Sequence, residues 1–126
     1  MDDRLMTHDH LRLLNMTFYG PHGVHPHERE LGRTISVDID LTLDARKAGE
    51  TDDLSCALDY SQVYIVVKEV TEKGSYKLLE AIAENIAKRL LQTFSQVTEA
   101  MIRVRKREPS VGGWVELAEI EITRTR

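Results

Sequence analysis

Five apolar residues at every second position, Ile35, Val37, Ile39, Leu41 and Leu43, interleave with Thr34, Ser36, Asp38, Asp40 and Thr42. Successive side chains on a strand point to opposite faces, so this segment has one face for a core and one for polar surroundings. Such a strand belongs to a sheet covered on one side, which is the habit of antiparallel sheets. The chain must also supply the cover. Val63, Val66, Val67 and Val70 recur at helical spacing within 61–73, and Leu79, Ile82, Ala83, Ile86, Ala87 and Leu90 do so within 78–94. Each set reads as an amphipathic helix with its apolar stripe turned to the sheet. Asp59 or Ser61 offers the first helix an N-cap, and Gly74 closes it.

Three more strands complete the pattern. Alternation starts at His10 and runs through Leu11, Leu13 and Thr17 to Tyr19, with one break at Leu14. Gly20-Pro21-His22-Gly23 then forces a turn, and His25-Pro26 keeps the following loop out of regular pairing. The segment 44–58 reads as acidic and irregular. A third strand spans Met101–Lys106, Pro109 and Gly112-Gly113 make a turn, and a last strand runs from Trp114 to Arg124. Ala118, Ile120 and Ile122 face inward there, and the opposite parity of Val115 and Leu117 points to a bulge near Leu117. The order ββααββ gives an α+β fold, a four-stranded antiparallel sheet with both helices on its apolar face. Asp38 and Asp40 then share the other face with Arg103 and Arg105, either paired across strands or solvated. Long β-branched outer strands are exposed edges unless a second copy extends the sheet, so a ring-like homo-oligomer is expected.

At 126 residues and 41% apolar content the chain fits one domain, read as 9–126 behind a polar tail at 1–8. A net charge of −4 gives no electrostatic case for a nucleic-acid partner. Arg103, Arg105, Lys106 and Arg107 do cluster, but Glu108 follows and no aromatic residues interleave. The single cysteine, Cys56, forms no internal disulfide and suits a reducing cytoplasm. No apolar run approaches membrane-spanning length, and Met1-Asp2-Asp3-Arg4 does not begin a secretory signal.

Glu80 stands in the first turn of the second helix, where a carboxylate favours the positive end of the helix dipole. A capping box would explain it locally, but position 77 is Lys rather than Ser or Thr. Two readings stay open: a solvated, dipole-favouring Glu, or an anchor accepting two parallel N–H bonds from a flat amidine-like heterocycle. His22, His25 and His27 invite a metal reading. A Pro-interrupted loop presents no regular ligand face, so they are read as loop or core histidines, with no metal site.

Four blocks occur in order: Phe18-Tyr19-Gly20-x-His22-Gly23 leading to Glu28 and Glu30-Leu31-Gly32; Leu58-Asp59-Tyr60; Leu78-Leu79-Glu80; and Val104-x-Lys106-x-x-Pro109. With them the chain resembles the dihydroneopterin aldolase family of the folate pathway, a tunnelling-fold group. The resemblance implies a homo-octamer of two stacked tetrameric rings with active sites between subunits. It implies a cofactor-free aldolase that uses neither a metal nor a lysine Schiff base. In 7,8-dihydroneopterin the ring's own C6=N5 imine takes the electrons of the broken carbon–carbon bond, giving 6-hydroxymethyl-7,8-dihydropterin and glycolaldehyde. By the same resemblance Glu80 would hold the pterin 2-amino group and N3–H, and Lys106 would be the main acid/base group. Tyr60, from a neighbouring subunit, would relay a proton to the enol-like intermediate. Glu28 would sit near the side-chain hydroxyls and balance Lys106, and the backbones around Leu58 and Leu79 would complete the hydrogen bonding. Such a lysine needs its pKa lowered toward neutrality. Pro21 and His25 depart from the family's usual residues. A paralogue that epimerises the 2′ carbon of dihydroneopterin triphosphate is the alternative, with Arg29, Arg33 and Arg107 as a basic tail pocket. A non-catalytic ring protein binding a pterin or purine is another, and would need Glu80 but not Lys106 and Tyr60 together.

Overall fold

The computed structural model describes residues 8–126, so residues 1–7 of the expected tail lie outside the described residues. The elements run β1 (Asp9–Gly20), α1 (Pro26–Leu31), β2 (Arg33–Leu43), α2 (Arg46–Thr51), a 3-10 turn (Leu54–Cys56), α3 (Tyr60–Lys73), α4 (Leu79–Thr93), β3 (Glu99–Arg107) and β4 (Leu117–Thr125). The strands form one antiparallel sheet in the order β1-β2-β3-β4. Helix α3 packs on β1, and α4 on β3 and β4. The core lies between that sheet face and the helices. Ile35, Val37, Ile39 and Leu41 are at most 1% exposed, as are Val63, Val67, Ile82, Ile86 and Leu90 opposite them. Burying each such side chain contributes roughly 1.5–3 kcal/mol, so the two apolar periodicities together set the layer arrangement.

The polar side of the sheet is an ion-pair network. Asp38 lies opposite Arg103 in register but receives both terminal nitrogens of Arg105, at 2.6 and 2.8 Å. Arg105 also donates to Glu119 at 3.0 Å and to the Asn15 side chain at 2.9 Å. Asp40 takes His10 at 2.7 Å and Arg12 at 3.1 Å. The Arg105 guanidinium, with the Asn15 backbone N–H at 2.7 Å, holds the buried Asp38 carboxyl below its ordinary range. Cross-strand pairing, rather than solvation, is therefore the state of these charges.

Several local expectations change. The break at Leu14 is a bulge between Leu13 and Met16, with Asn15 at φ 57°, and it flips the parity of β1. Met16 and Phe18 are buried as a result, while Tyr19 is 60% exposed. There is no bulge at Leu117: Arg107 pairs with Leu117 and the register continues unbroken to Glu99 and Thr125, so the parity change marks the strand's start. The segments read as loops at 25–31 and 44–58 contain the short helices α1 and α2. Pro26 fits the first position of α1, where its missing N–H costs nothing. Helix α3 is capped by Asp59, whose side chain accepts from the Ser61 N–H at 2.9 Å.

Candidate active site

Strand alternation carries two charged residues past the edge of the core. Lys106 continues the inward parity of Ile102 and Val104, and Arg33 that of Ile35 and Val37. Lys106 pairs with Ile35 on one side and Ala118 on the other. Both cations therefore emerge at one end of the sheet, beneath the start of α4. A cleft of about 220 Å³ opens there, walled by Ile35, Leu79, Ile82 and Ala118, with Glu28, Lys106 and Glu80 among its polar groups.

Glu28 is 3% exposed although it sits in a short surface helix. The reason is Gly23, whose φ of 142° suits glycine and where a Cβ would stand 2.5 Å from the Glu28 Cβ. Glu28 folds into that gap. Its carboxylate forms an ion pair with the Lys106 ammonium, accepts the His25 N–H at 3.3 Å and lies 3.8 Å from the Arg33 Nε. Lys106 above all holds the carboxyl below its ordinary range, against the opposing effect of burial. The nearest charged partner of Lys106 is thus the Glu28 carboxylate. Arg105 points to the other sheet face, as alternation requires, and is spent on Asp38.

At the far wall Glu80 lies in the first turn of α4. It has no hydrogen-bond or ion-pair partner among the described residues. Leu78 caps the helix without a side-chain bond, and the first intrahelical bonds run from Ala81 and Ile82 to the Leu78 carbonyl, at 3.2 and 3.4 Å. The N–H groups of Leu79 and Glu80 therefore precede the helical ladder, beside an unpaired carboxylate. Such a constellation matches the donor–acceptor edge of a flat amidine-like ring.

The structure separates the histidines. His22 is 3% exposed and turned inward: its Nε2 lies 2.6 Å from the Thr71 carbonyl and its Nδ1 accepts the Tyr76 N–H at 3.2 Å. Those two bonds fix the neutral Nε2–H tautomer, and burial lowers the imidazole pKa further. His25 and His27 are exposed, with rings stacked at 5.6 Å, and His25 lies at the rim of the cleft. Among the described residues no three His, Cys, Asp or Glu side chains converge as metal ligands.

Glu28, Lys106, Glu80 and Leu79 thus meet at one cleft, and Leu58 and Tyr60 do not. Leu58 lines a different hollow with Leu11, Leu43 and Cys56, and Tyr60 is 62% exposed at the start of α3. Ile35 marks the cleft end of β2 and Leu43 the other; eight residues separate them, about 26 Å at the usual strand rise. Sequence reasoning passed over His22 and Tyr76 as members of the site, and gave Arg33 only to a basic tail pocket under the epimerase alternative. For Arg33 a signal existed, a charge on the apolar parity of β2. For His22 and Tyr76 none did, because their pairing joins segments 54 residues apart.

Among the described residues no helix is long and apolar enough to cross a membrane. The family model "FolB: Dihydroneopterin aldolase" matches residues 11–123. A dihydroneopterin aldolase of Bacillus subtilis is 39% identical over 94% of this chain and 98% of its own length. A FolB crystal structure from Vibrio cholerae superposes with a TM-score of 0.86 at 30% identity, covering 94% of this chain and 98% of that one. The Escherichia coli dihydroneopterin aldolase in complex with neopterin shares the fold, with a TM-score of 0.85 at 24% identity over 92% of this chain and 98% of that one. With its tunnelling-fold architecture and nearly its full length matched, this chain belongs to the dihydroneopterin aldolase family.

Proposed function

We propose that this protein cleaves 7,8-dihydroneopterin by a retro-aldol reaction to 6-hydroxymethyl-7,8-dihydropterin and glycolaldehyde, as a cytoplasmic step of folate biosynthesis. One observation carries the reading in a chain of this family: an unpaired carboxylate, Glu80, and a buried Glu28–Lys106 ion pair face each other across one small apolar cleft. Glu80 accepts the pterin 2-amino group and N3–H, and the ring packs against Leu79 and its neighbours. The Glu28–Lys106 pair takes the 2′-hydroxyl proton through water. The C1′–C2′ bond breaks, its electrons pass through C6 to N5, and Lys106 protonates N5. Glycolaldehyde leaves, and C1′ then gains a proton relayed by Tyr60 while N5 loses its own. An ammonium held by a buried carboxylate is a proton donor rather than a nucleophile, so a Schiff base has no part in this scheme. The ring imine is the electron sink, so the scheme routes no step through a metal.

Tyr60 and Leu58 enter this scheme from a second copy. The distance of about 26 Å within one chain supports that arrangement, as do the unpaired outer edges of β1 and β4, which sheet extension would join. The assembly we propose is a homo-octamer of two tetrameric rings. Incubating purified protein with 7,8-dihydroneopterin in excess chelator, with products separated by chromatography, tests the reaction. Hydroxymethyl-dihydropterin formed in step with glycolaldehyde is the expected result. Appearance of the 2′ epimer alone would move the assignment to the epimerase, and turnover only after zinc is restored would overturn the role given to Lys106.

A further inference from the structure

The two ends of the cleft hang from one buried side chain. His22 bridges the turn after β1 to the last turn of α3, through the Thr71 carbonyl, and to the segment leading into α4, through the Tyr76 N–H. Gly23 donates to the Tyr76 carbonyl at 2.9 Å, so both backbone groups of Tyr76 are held by two adjacent residues. From Tyr76 the chain reaches Glu80 in four residues, and from Gly23 direct packing reaches Glu28. Gly20 makes the bridge possible, because a Cβ there would collide with the imidazole and stand 2.6 Å from the Thr71 carbonyl.

We propose that His22 is a positioning residue: its acceptance of the Tyr76 N–H sets the span between the Glu80 anchor and the Glu28–Lys106 pair. The inference rests on the aldolase reading above, since a flat pterin held at both ends is what would sense that span. An aliphatic replacement could make neither of these hydrogen bonds, and neither amide side chain reproduces both. Asparagine can place an acceptor where Nδ1 stands, but is too short for Thr71. Glutamine can place a donor where Nε2 stands, but leaves the Tyr76 N–H without its acceptor.

The two variants therefore separate positioning from mere support of the fold. Thermal midpoint and neopterin affinity by fluorescence titration would be measured on the parent, His22→Asn and His22→Gln. Each variant loses one of two buried hydrogen bonds, so similar drops in midpoint are expected. The neopterin Kd should stay within about threefold of the parent in His22→Asn and rise about tenfold or more in His22→Gln, the scale of one lost orienting bond. With dihydroneopterin the Gln variant should show this mainly as raised KM. Equal rises that follow the midpoints would overturn the proposal. If His22→Gln does not fold, nitrogen NMR of the parent imidazole decides: the Nε2–H tautomer, with Nδ1 accepting, is expected, and an Nδ1–H tautomer would overturn it. A well-folded parent that neither binds neopterin nor turns over dihydroneopterin would remove the aldolase reading itself, and this inference with it.

Discussion

Glu80 and Lys106 make different demands on substitution. Glu80 has no internal partner to strand, so Glu80→Gln should leave the thermal midpoint within about 1 °C of the parent, as surface changes do. It should raise the KM for dihydroneopterin about 100-fold, the worth of a two-point charge-assisted contact. Steady-state kinetics with a melting curve checks both halves at once. Lys106→Ala strands a buried anion. Beyond the loss of turnover it should cost roughly 2 kcal/mol of stability, with Arg33 at 3.8 Å recovering part of the charge balance. Denaturant titration of that variant beside Glu28→Gln/Lys106→Ala measures it, and the double variant should regain most of the loss. Lys106 was legible from the chain alone in one respect: its parity with Ile102 and Val104 put it on the inward face. Its partnership with Glu28 came only from the family resemblance, because nothing in Pro26-His27-Glu28-Arg29 itself announces a buried carboxylate. Only the open space over Gly23 makes one possible.

At the level of elements, the strong periodicities carried furthest. The stripes of β2, α3 and α4 gave the layers because each buries many side chains and leaves no competing face. Short helices were missed because α1 and α2 span about one and a half turns, too little for a 3.6-residue period to show. The bulge in β1 hid its parity change for a related reason: one extra residue exchanges the two faces, and both halves of the strand contain leucine or methionine. Helix ends were read closely where a capping residue was present, as at Asp59. The β2–β3 pair yields a pH prediction. Asp38 and Glu28 both have carboxyls held below their ordinary values by Arg105 and Lys106. Their contribution to stability is therefore complete above about pH 4.5 and is lost as pH falls through the depressed folded values. Thermal midpoints between pH 7 and pH 3 should show that descent in the parent. Asp38→Asn should start lower at neutral pH and descend less steeply.

For the whole molecule, the separation of Tyr60 and Leu58 from the cleft has a test that needs no structure of the assembly. Lys106→Ala and Tyr60→Phe chains should each be nearly inactive alone. Unfolded together in equal amounts and reassembled, they should recover about a quarter of the parental activity, since random closed assembly pairs an intact Lys106 with a neighbour's intact Tyr60 at that frequency. No recovery, with mixed assemblies verified by mass spectrometry, would place both residues in one chain's site. Edge exposure of β1 and β4 was foreseeable from their length; how many copies would close the proposed ring depends on sheet twist, which no residue pattern encodes. In the proposed assembly, the division of one site between neighbouring chains also bears on inheritance. A chain defective at both Lys106 and Tyr60 would spoil its neighbour's site as well as its own, so a single faulty allele would behave as partially dominant, and the lost activity would exceed the share of faulty chains in the cell.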